Sequence, residues 1–460
     1  MKEFDSLYFV GAGGIGMAAL ERYFLAQGKR VAGYDRTPSD LTNALQQEGV
    51  HIDFDEDPAL IPDYFRDPER TLVVYTPAVP ATHQGLTYFR EHGFEVLKRA
   101  ALLGVVTAHS KGLCFAGTHG KTTTSSMAAH ILHSSGIGCN AFLGGVLRNY
   151  DSNFLLSATS PYSVIEADEF DRSFHHLHPH IAVVTSTDPD HLDIYGTPEA
   201  YLESFAHFTE LIQPGGALIV HTGLALKPRV GEEVKTYTYS RDNGDFHAER
   251  IRKGEGEITF DLVTPWETIS DISLGVPVDI NIENGIAAMA ACRLVNVPAD
   301  AMRQAMATFQ GPKRRFEFWI KEQGSQGRVM IDDYAHHPGE LRASISSVRD
   351  LYPGRRLTVI FQPHLYTRTR DFAPEFAAAL SLADEVIMLP IYPAREEPIP
   401  GVTSEMVLEQ VTSTKKIIYS KENLIRSIKL SNFDVLLTAG AGDIANLLPQ
   451  ICVEYKKQKR

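Results

Sequence analysis

The chain has 460 residues, enough for several hydrophobic cores, because single cores stop growing at about 250–300 residues. Its 43% hydrophobic and 22% charged residues exclude a disordered or collagen-like chain. With 57 acidic against 44 basic residues the formal charge is -13, which argues against an extended nucleic-acid or anionic-membrane surface. Any anionic ligand must therefore be held by local donors. Cys114, Cys139, Cys292 and Cys452 lack the spacing of a zinc site or disulfide framework and fit a reducing compartment. The opening residues are of mixed charge without a signal-peptide pattern, and no apolar run approaches the ~18 residues of a membrane helix. A cytoplasmic chain without membrane insertion is expected.

In chain order, residues 7–10, 30–34, 72–75 and 95–97 read as strands alternating with helical stretches, the pattern of a parallel Rossmann-like sheet. A second α/β region opens with a strand at 112–116 and a helix from Lys121, and continues through strands near 162–166 and 180–185. Residues 235–239 and 257–262 alternate without helical periodicity and read as a small antiparallel sheet attached to it. A helix over 282–295 closes this region, and Gln310-Gly311-Pro312-Lys313 forms a linker. Strands at 328–332, 356–361, 385–389, 416–419 and 434–439 make a third region, and the basic tail 456–460 reads as a solvated helix end. The expected architecture is α/β with three domains. Residues 1–107 are Rossmann-like, 108–310 are of P-loop ATPase type with the small antiparallel sheet, and 311–460 are again Rossmann-like.

Two glycine loops carry the chemistry. Gly11-Ala12-Gly13-Gly14-Ile15-Gly16 follows a strand and opens a helix, and Asp35 ends the next strand. Glycines let the backbone approach a diphosphate at the helix N-terminus, and Asp35 is placed to accept a ribose hydroxyl. Gly117-Thr118-His119-Gly120-Lys121-Thr122-Thr123-Thr124 lies between an apolar strand and a helix, and its Gly-Lys-Thr core predicts a nucleoside triphosphate. Lys121 reaches the β/γ-phosphates and a threonine hydroxyl, Thr122, meets Mg²⁺. Phe115 stands where the first glycine of the general P-loop belongs, so the loop is a shortened variant. A nicotinamide dehydrogenase would use the first loop and leave the second unexplained; a simple P-loop ATPase would do the reverse. Together they point to a nucleotide-linked substrate used with ATP.

Further motifs are Glu166-Ala167-Asp168-Glu169-Phe170-Asp171, Asp190-His191-Leu192-Asp193, Arg314-Arg315-Phe316, Asp332-Asp333-Tyr334-Ala335-His336-His337-Pro338 and Phe361-Gln362-Pro363-His364. With both loops, they make the chain resemble the Mur ligases, which build the peptide stem of the bacterial cell wall, over nearly its whole length. The tripled threonines and the Asp-Asp-Tyr-x-His-His-Pro segment look like the branch joining L-alanine to UDP-N-acetylmuramate. The rival branch attaches a ready-made tripeptide to the same sugar during recycling.

The resemblance implies that residues 1–107 bind the UDP-sugar through Gly11, Gly13, Gly14, Gly16 and Asp35, that 108–310 bind ATP, and that 311–460 bind the amino acid. It assigns Gly117, Thr118, His119, Gly120, Lys121, Thr122 and Thr123 to the phosphates, and Thr122, Glu166 and His191 to Mg²⁺. Asn281 and Asn284 fall to the adenine end, where Ile280 replaces the family's usual histidine. Arg315 and Asp333 belong on the ATP side, and His337, His364 and Arg368 towards the amino-acid pocket. Leu365 replaces an arginine that often follows the histidine of Phe-Gln-Pro-His. Catalysis falls to Lys121, Glu166, His191, His337 and Arg368. Residues 192–213 hold no lysine, unlike sibling ligases whose carbamylated lysine helps bridge metal. The histidines at 175, 176, 178 and 180 match no metal-site spacing and read as a solvated loop. The chemistry so implied runs through an acyl phosphate and requires the domains to close. A monomer or weak homodimer is expected.

Overall fold

The computed structural model describes residues 4–458 except 77, 81, 255, 323, 325, 326, 395 and 428–432. The first sheet comprises β1 (Ser6–Val10), β2 (Arg30–Tyr34), β3 (His51–Asp53), β4 (Thr71–Tyr75) and β5 (Glu95–Lys98). Its order is β3-β2-β1-β4-β5, with every pairing parallel. β1, Ser-Leu-Tyr-Phe-Val, is buried throughout, as a parallel strand covered on both faces must be. Since β2 and β4 flank it, the loop leaving β1 opens at the point where strand order reverses, the usual ligand crevice of such sheets.

The central sheet comprises β6 (Lys111–Ala116), β7 (Asn140–Leu147), β8 (Ser152–Leu155), β9 (Tyr162–Glu166), β10 (Pro179–Val184), β11 (Ala217–His221) and β12 (Lys235–Tyr239). In the order β12-β11-β10-β6-β9-β7-β8, only β8 runs antiparallel to its neighbour. β6 occupies the second switch point, between β10 and β9. Residues 235–239, expected in the small antiparallel sheet, instead form the outer parallel strand beside β11, with Lys235 opposite Ala217. An edge strand exposes part of its surface, so its polar alternation resembles that of a hairpin and does not reveal its pairing direction. The separate three-stranded sheet is β13 (His247–Gly254), β14 (Glu257–Val263) and β15 (Thr268–Ser273), in that order.

The last sheet comprises β16 (Glu317–Lys321), β17 (Val329–Asp333), β18 (Leu357–Phe361), β19 (Glu385–Met388), β20 (Lys415–Ile418) and β21 (Val435–Ala439). Its order is β16-β17-β21-β18-β19-β20, parallel except for the added edge strand β16. The helix Leu448–Gln458 ends with exposed Lys456 and Lys457; Lys459 and Arg460 of the basic tail lie outside the described residues. Among the described residues no helix is long and apolar enough to cross a membrane.

The chain divides into two compact units. One holds Met1–Ala248, Leu262–Thr268 and Glu283–Ala305, the other Glu249–Asp261, Ile269–Ile282 and Met306–Arg460. In the first unit one apolar cluster runs from Phe9, Leu20 and Leu72 of the first sheet's layers to Phe142, Phe174 and Phe205 of the central region. Tyr23 of the helix Ile15–Ala26 meets Phe142 edge-on at 5.5 Å, and Asn153 donates its amide to the carbonyl of Ile15 at 3.1 Å. Full burial of each such side chain contributes about 1.5–3 kcal/mol. In the second unit Met330, Ile360, Leu436 and Ile451 belong to one core.

Glu21 is an anomaly in the first core. It is fully buried in the helix Ile15–Ala26, and neither carboxylate oxygen has a hydrogen-bond partner. Desolvation raises its carboxyl well above the ordinary range. An acid whose folded value is raised contributes stability that is complete below its unfolded value and is lost as pH rises through the folded one. Glu21→Met, which keeps length and removes the polar end, therefore stabilises the fold at pH 8 by about 1–3 kcal/mol and by less at pH 5. Denaturant titrations at the two pH values measure the difference.

Candidate active site

β6 ends at Ala116, and the helix Lys121–Ser134 starts after a four-residue turn, 117–120. Gly117 (φ +142°) and Gly120 (φ +84°) adopt backbone conformations that other residues rarely take. A Cβ on Gly117 would collide with Thr185 Oγ1, and one on Gly120 would lie 2.7 Å from Asn284 Oδ1. Gly120 is the N-cap, with no side-chain cap and no acid in the first turn, so the initial N–H groups stay open to an anion.

Around this turn the side chains are held by neighbours. Lys121 Nζ donates to Gly117 O at 2.7 Å and pairs with Glu169 at 2.7 Å. The Glu169 side chain is only 2% exposed, so this acid is the buried counter-ion of the loop lysine. Thr122 Oγ1 donates to Glu166 Oε1 at 3.0 Å, and the Gly144 N–H donates to Oε2 at 3.1 Å. Burial raises the Glu166 carboxyl above its ordinary value, while Thr122, Lys121 and Gly144 pull it down; a cation at this position would reinforce the ionised form. Thr118 Oγ1 donates to Asp188 O at 2.7 Å and lies 2.9 Å from the Tyr201 hydroxyl. The His119 N–H donates to Ser186 Oγ at 2.8 Å, and its exposed ring lies 3.7 Å from Asp188. Thr123 is half-buried in the first helical turn, and Thr124 donates to Asn284 Oδ1 at 3.2 Å. Asn284 thus packs onto the loop. Asn281 belongs to the other unit, where its amide bonds Val276 O at 3.0 Å.

Thr122 and Glu166 therefore form a ready hydroxyl–carboxylate pair, whose chemistry suits a hard divalent cation that keeps water and phosphate oxygens as its remaining ligands. His191 is not joined to them. It lies beyond β10 in left-handed conformation (φ +52°), its N–H bonded to Asp190 Oδ1 at 2.7 Å and its ring edge-on to Phe170 at 5.2 Å. Among the described residues no three His, Cys, Asp or Glu side chains converge as a metal cluster. His175, from the run of four histidines, stacks on Phe174 at 4.7 Å and bonds Ser204.

The first loop is braced from below. The Gly11 and Ala12 N–H groups donate to Tyr34 O at 2.8 and 2.9 Å, and Gly13 donates to Asp35 Oδ2 at 2.6 Å. A Cβ on Gly13 would crowd Asp35, at 2.9 Å. Gly14 caps the helix Ile15–Ala26 with no side-chain cap and no acid in its first turn. Gly16 leaves space that the Arg99 guanidinium occupies, within 2.6 Å of where a Cβ would stand.

In the second unit Asp333 accepts the Ser344 hydroxyl and, at 3.3 Å, the Phe316 N–H; burial pushes its carboxyl up to about 6. Arg315 is exposed, without a hydrogen-bond or ion-pair partner for its side chain among the described residues. Its neighbour Arg314 is consumed by the fold, donating to Asp332 at 3.2 Å and to the carbonyls of Gly440 and Gly442. His337 caps the helix Pro338–Leu351 in a capping box with Glu340. His364 Nδ1 lies 3.5 Å from Arg368, and its ring is near-parallel to Tyr392 at 5.8 Å. The ring meeting His364, at 6.0 Å, is that of His336, and burial lowers both histidines, favouring their neutral forms. Arg368 has no carboxylate partner among the described residues. Leu365 takes φ +70° at the start of the helix Tyr366–Asp371.

Sequence reasoning missed Arg99, Glu169 as the lysine's counter-ion, and Tyr392. Arg99 carried one readable signal, its place directly after a strand on the edge where ligands bind. Glu169 was hidden by its motif, which reads equally as a set of helix-start acids, and Tyr392 had none. Left-handed backbone at Asp171, Arg172, His191, Arg314, Phe316 and Leu365 marks the same segments; such strain costs about 1–3 kcal/mol per residue and concentrates at functional sites. Gly120→Ala combines a strained φ with the Asn284 contact and is expected to lower the affinity for an ATP analogue by about five- to thirtyfold, since 1.4 kcal/mol is a factor of ten and the conformation alone costs about 1–2 kcal/mol. Calorimetric titration with an ATP analogue, beside a circular-dichroism check of folding, measures it.

Three family models match in succession: "Mur ligase family, catalytic domain" over residues 6–111, "Mur ligase middle domain" over 115–292, and "Mur ligase, glutamate ligase domain" over 314–442. A UDP-N-acetylmuramate–L-alanine ligase of Phocaeicola vulgatus is 59% identical over 97% of each chain. Another, of Parabacteroides distasonis, is 60% identical over 99% of this chain and 98% of its own. Among solved structures, the UDP-N-acetylmuramate-alanine ligase MurC of Thermotoga maritima superposes with a TM-score of 0.78 at 24% identity, covering 98% and 99% of the two chains, and shares the fold. The three matched regions follow the three large sheets, and the two glycine loops lie within the first two regions: the chain belongs to the Mur ligase family.

Proposed function

We propose that this protein is an ATP-dependent ligase that joins L-alanine to the lactyl carboxylate of UDP-N-acetylmuramate, releasing ADP and phosphate, in cytoplasmic peptidoglycan precursor synthesis. The observation that carries the choice of substrates is the likeness of 59% and 60% over nearly the full length to two ligases of that name. The two uncapped glycine loops agree with it, one for a nucleotide diphosphate and one for a triphosphate. Residues 1–107 take the UDP-sugar, 108–310 ATP, and 311–460 the amino acid.

A carboxylate is a poor acyl donor, so the lactyl carboxylate first takes the γ-phosphoryl group of ATP; the alanine amine then displaces phosphate from the acyl phosphate. Transfer between two anions depends on position and charge neutralisation. The N–H groups of 117–123 and Lys121 hold the phosphates, which requires Lys121 to exchange Glu169 for phosphate oxygen. Thr122 and Glu166, with His191, would hold Mg²⁺, which when bound neutralises phosphate charge. Asn281 and Asn284 serve the adenine end, and Arg315 and Asp333 the ATP side. Arg368, supported by His364, binds the alanine carboxylate, a role suited to a guanidinium without a competing acid. His337 belongs to the same end, where its cap orients the backbone of the helix start.

Phosphate release by the purified protein with ATP and Mg²⁺ tests this reading. Release is expected only when UDP-N-acetylmuramate and L-alanine are both present. Release with the recycling tripeptide in place of alanine would select the other branch, and release without either substrate would reduce the protein to an ATPase.

A further inference from the structure

Against the first glycine loop lies a cation that no described residue neutralises. We propose that this residue, Arg99, binds the diphosphate of the UDP-sugar, an inference that rests on the first loop being the UDP site. Arg99 is the first residue of the helix Arg99–Ala108, directly after β5. Its guanidinium fills the side-chain space that Gly16 leaves in the first turn of the helix Ile15–Ala26, with Nη1 2.6 Å and Cζ 3.3 Å from where a Cβ would stand. Glycine is thus required at position 16 for the arginine to lie against the helix start.

That position is electrostatically unfavourable for a cation. Both helices begin without an acid in the first turn and without a side-chain cap, so Arg99 stands where the helix dipole favours negative charge. Two acids near the loop are already engaged. Asp35 accepts from the Gly13 and Thr37 N–H groups at 2.6 and 3.3 Å, and Asp171 pairs with the neighbouring Lys98 at 3.3 Å. Among the described residues half-buried Arg99 has no ion-pair or hydrogen-bond partner. A guanidinium left unpaired beside open backbone N–H groups is a site for an anion, and its planar fork fits two phosphate oxygens at once. Asn153, which holds the carbonyl of Ile15 at 3.1 Å, keeps the first turn in place for this contact.

The test compares UDP with uridine as ligands of the full-length protein by calorimetry, alongside KM for UDP-N-acetylmuramate and for ATP. The wild type is expected to prefer UDP. Arg99→Ala is expected to weaken UDP and raise KM for the UDP-sugar by about 10- to 100-fold, the range of a charge-assisted hydrogen bond, while uridine affinity and KM for ATP stay unchanged. Arg99→Lys recovers part of the loss, as a point charge without the fork does. Unaltered UDP binding by Arg99→Ala, or an equal loss for uridine and UDP, overturns the assignment. A wild type that binds neither UDP nor the UDP-sugar overturns the reading of the loop and the proposal with it, an outcome visible before any variant is made. Should Arg99→Ala not fold, Arg99→Gln and Arg99→Lys carry the same comparison.

Discussion

The N–H groups at the start of a helix have no partners within it, and a fold must either cap them or keep them for a ligand. The first unit keeps them after both glycine loops. The helices Ile15–Ala26 and Lys121–Ser134 both begin after glycine, with no side-chain cap and no first-turn acid. At three other helices a side chain takes that place: Ser39, Thr197 and His337 each accept a hydrogen bond from the first turn. The open starts follow β1 and β6, the strands at which the order of their sheets reverses. Open helix starts and sheet topology are therefore one constraint, since only there do connections leave to opposite sides and open a crevice.

Leaving these ends open has consequences for the surrounding side chains. Lys121 is half-buried in the turn, and Glu169 neutralises it at 2.7 Å. Breaking a buried pair from one side costs about 3–5 kcal/mol, so a substitution of Lys121 disturbs the fold as well as the loop. Glu166 is held in a similar way by Thr122 and Gly144, while its burial raises the carboxyl above the ordinary value. In the second unit Arg314 is absorbed by Asp332 and two carbonyls, which leaves the adjacent Arg315 exposed. Adjacent arginines in one motif thus divide into a structural tie and an exposed guanidinium.

Much was legible from the residues alone. The strands around both glycine loops were placed to within a residue or two, because parallel strands buried on both faces read as continuous apolar runs, and the glycine turns that follow them have few other uses. What misled was the edge of the central sheet, where Lys235–Tyr239 has the composition of a hairpin strand and the pairing of a parallel one.

Sequence by itself determined the family, the three α/β regions and the two glycine loops, since each depends on local backbone geometry and on residue types close together in the chain. Tertiary structure alone decided that the first two sheets share one core, that Glu169 serves Lys121 from 48 residues away, that His336 and Tyr392 flank His364, and that Arg99 lies on Gly16. Those pairings are set by how strands order themselves within a sheet. Loop-closure entropy grows only slowly with chain separation, so the spacing between two residues carries almost no information on whether they meet.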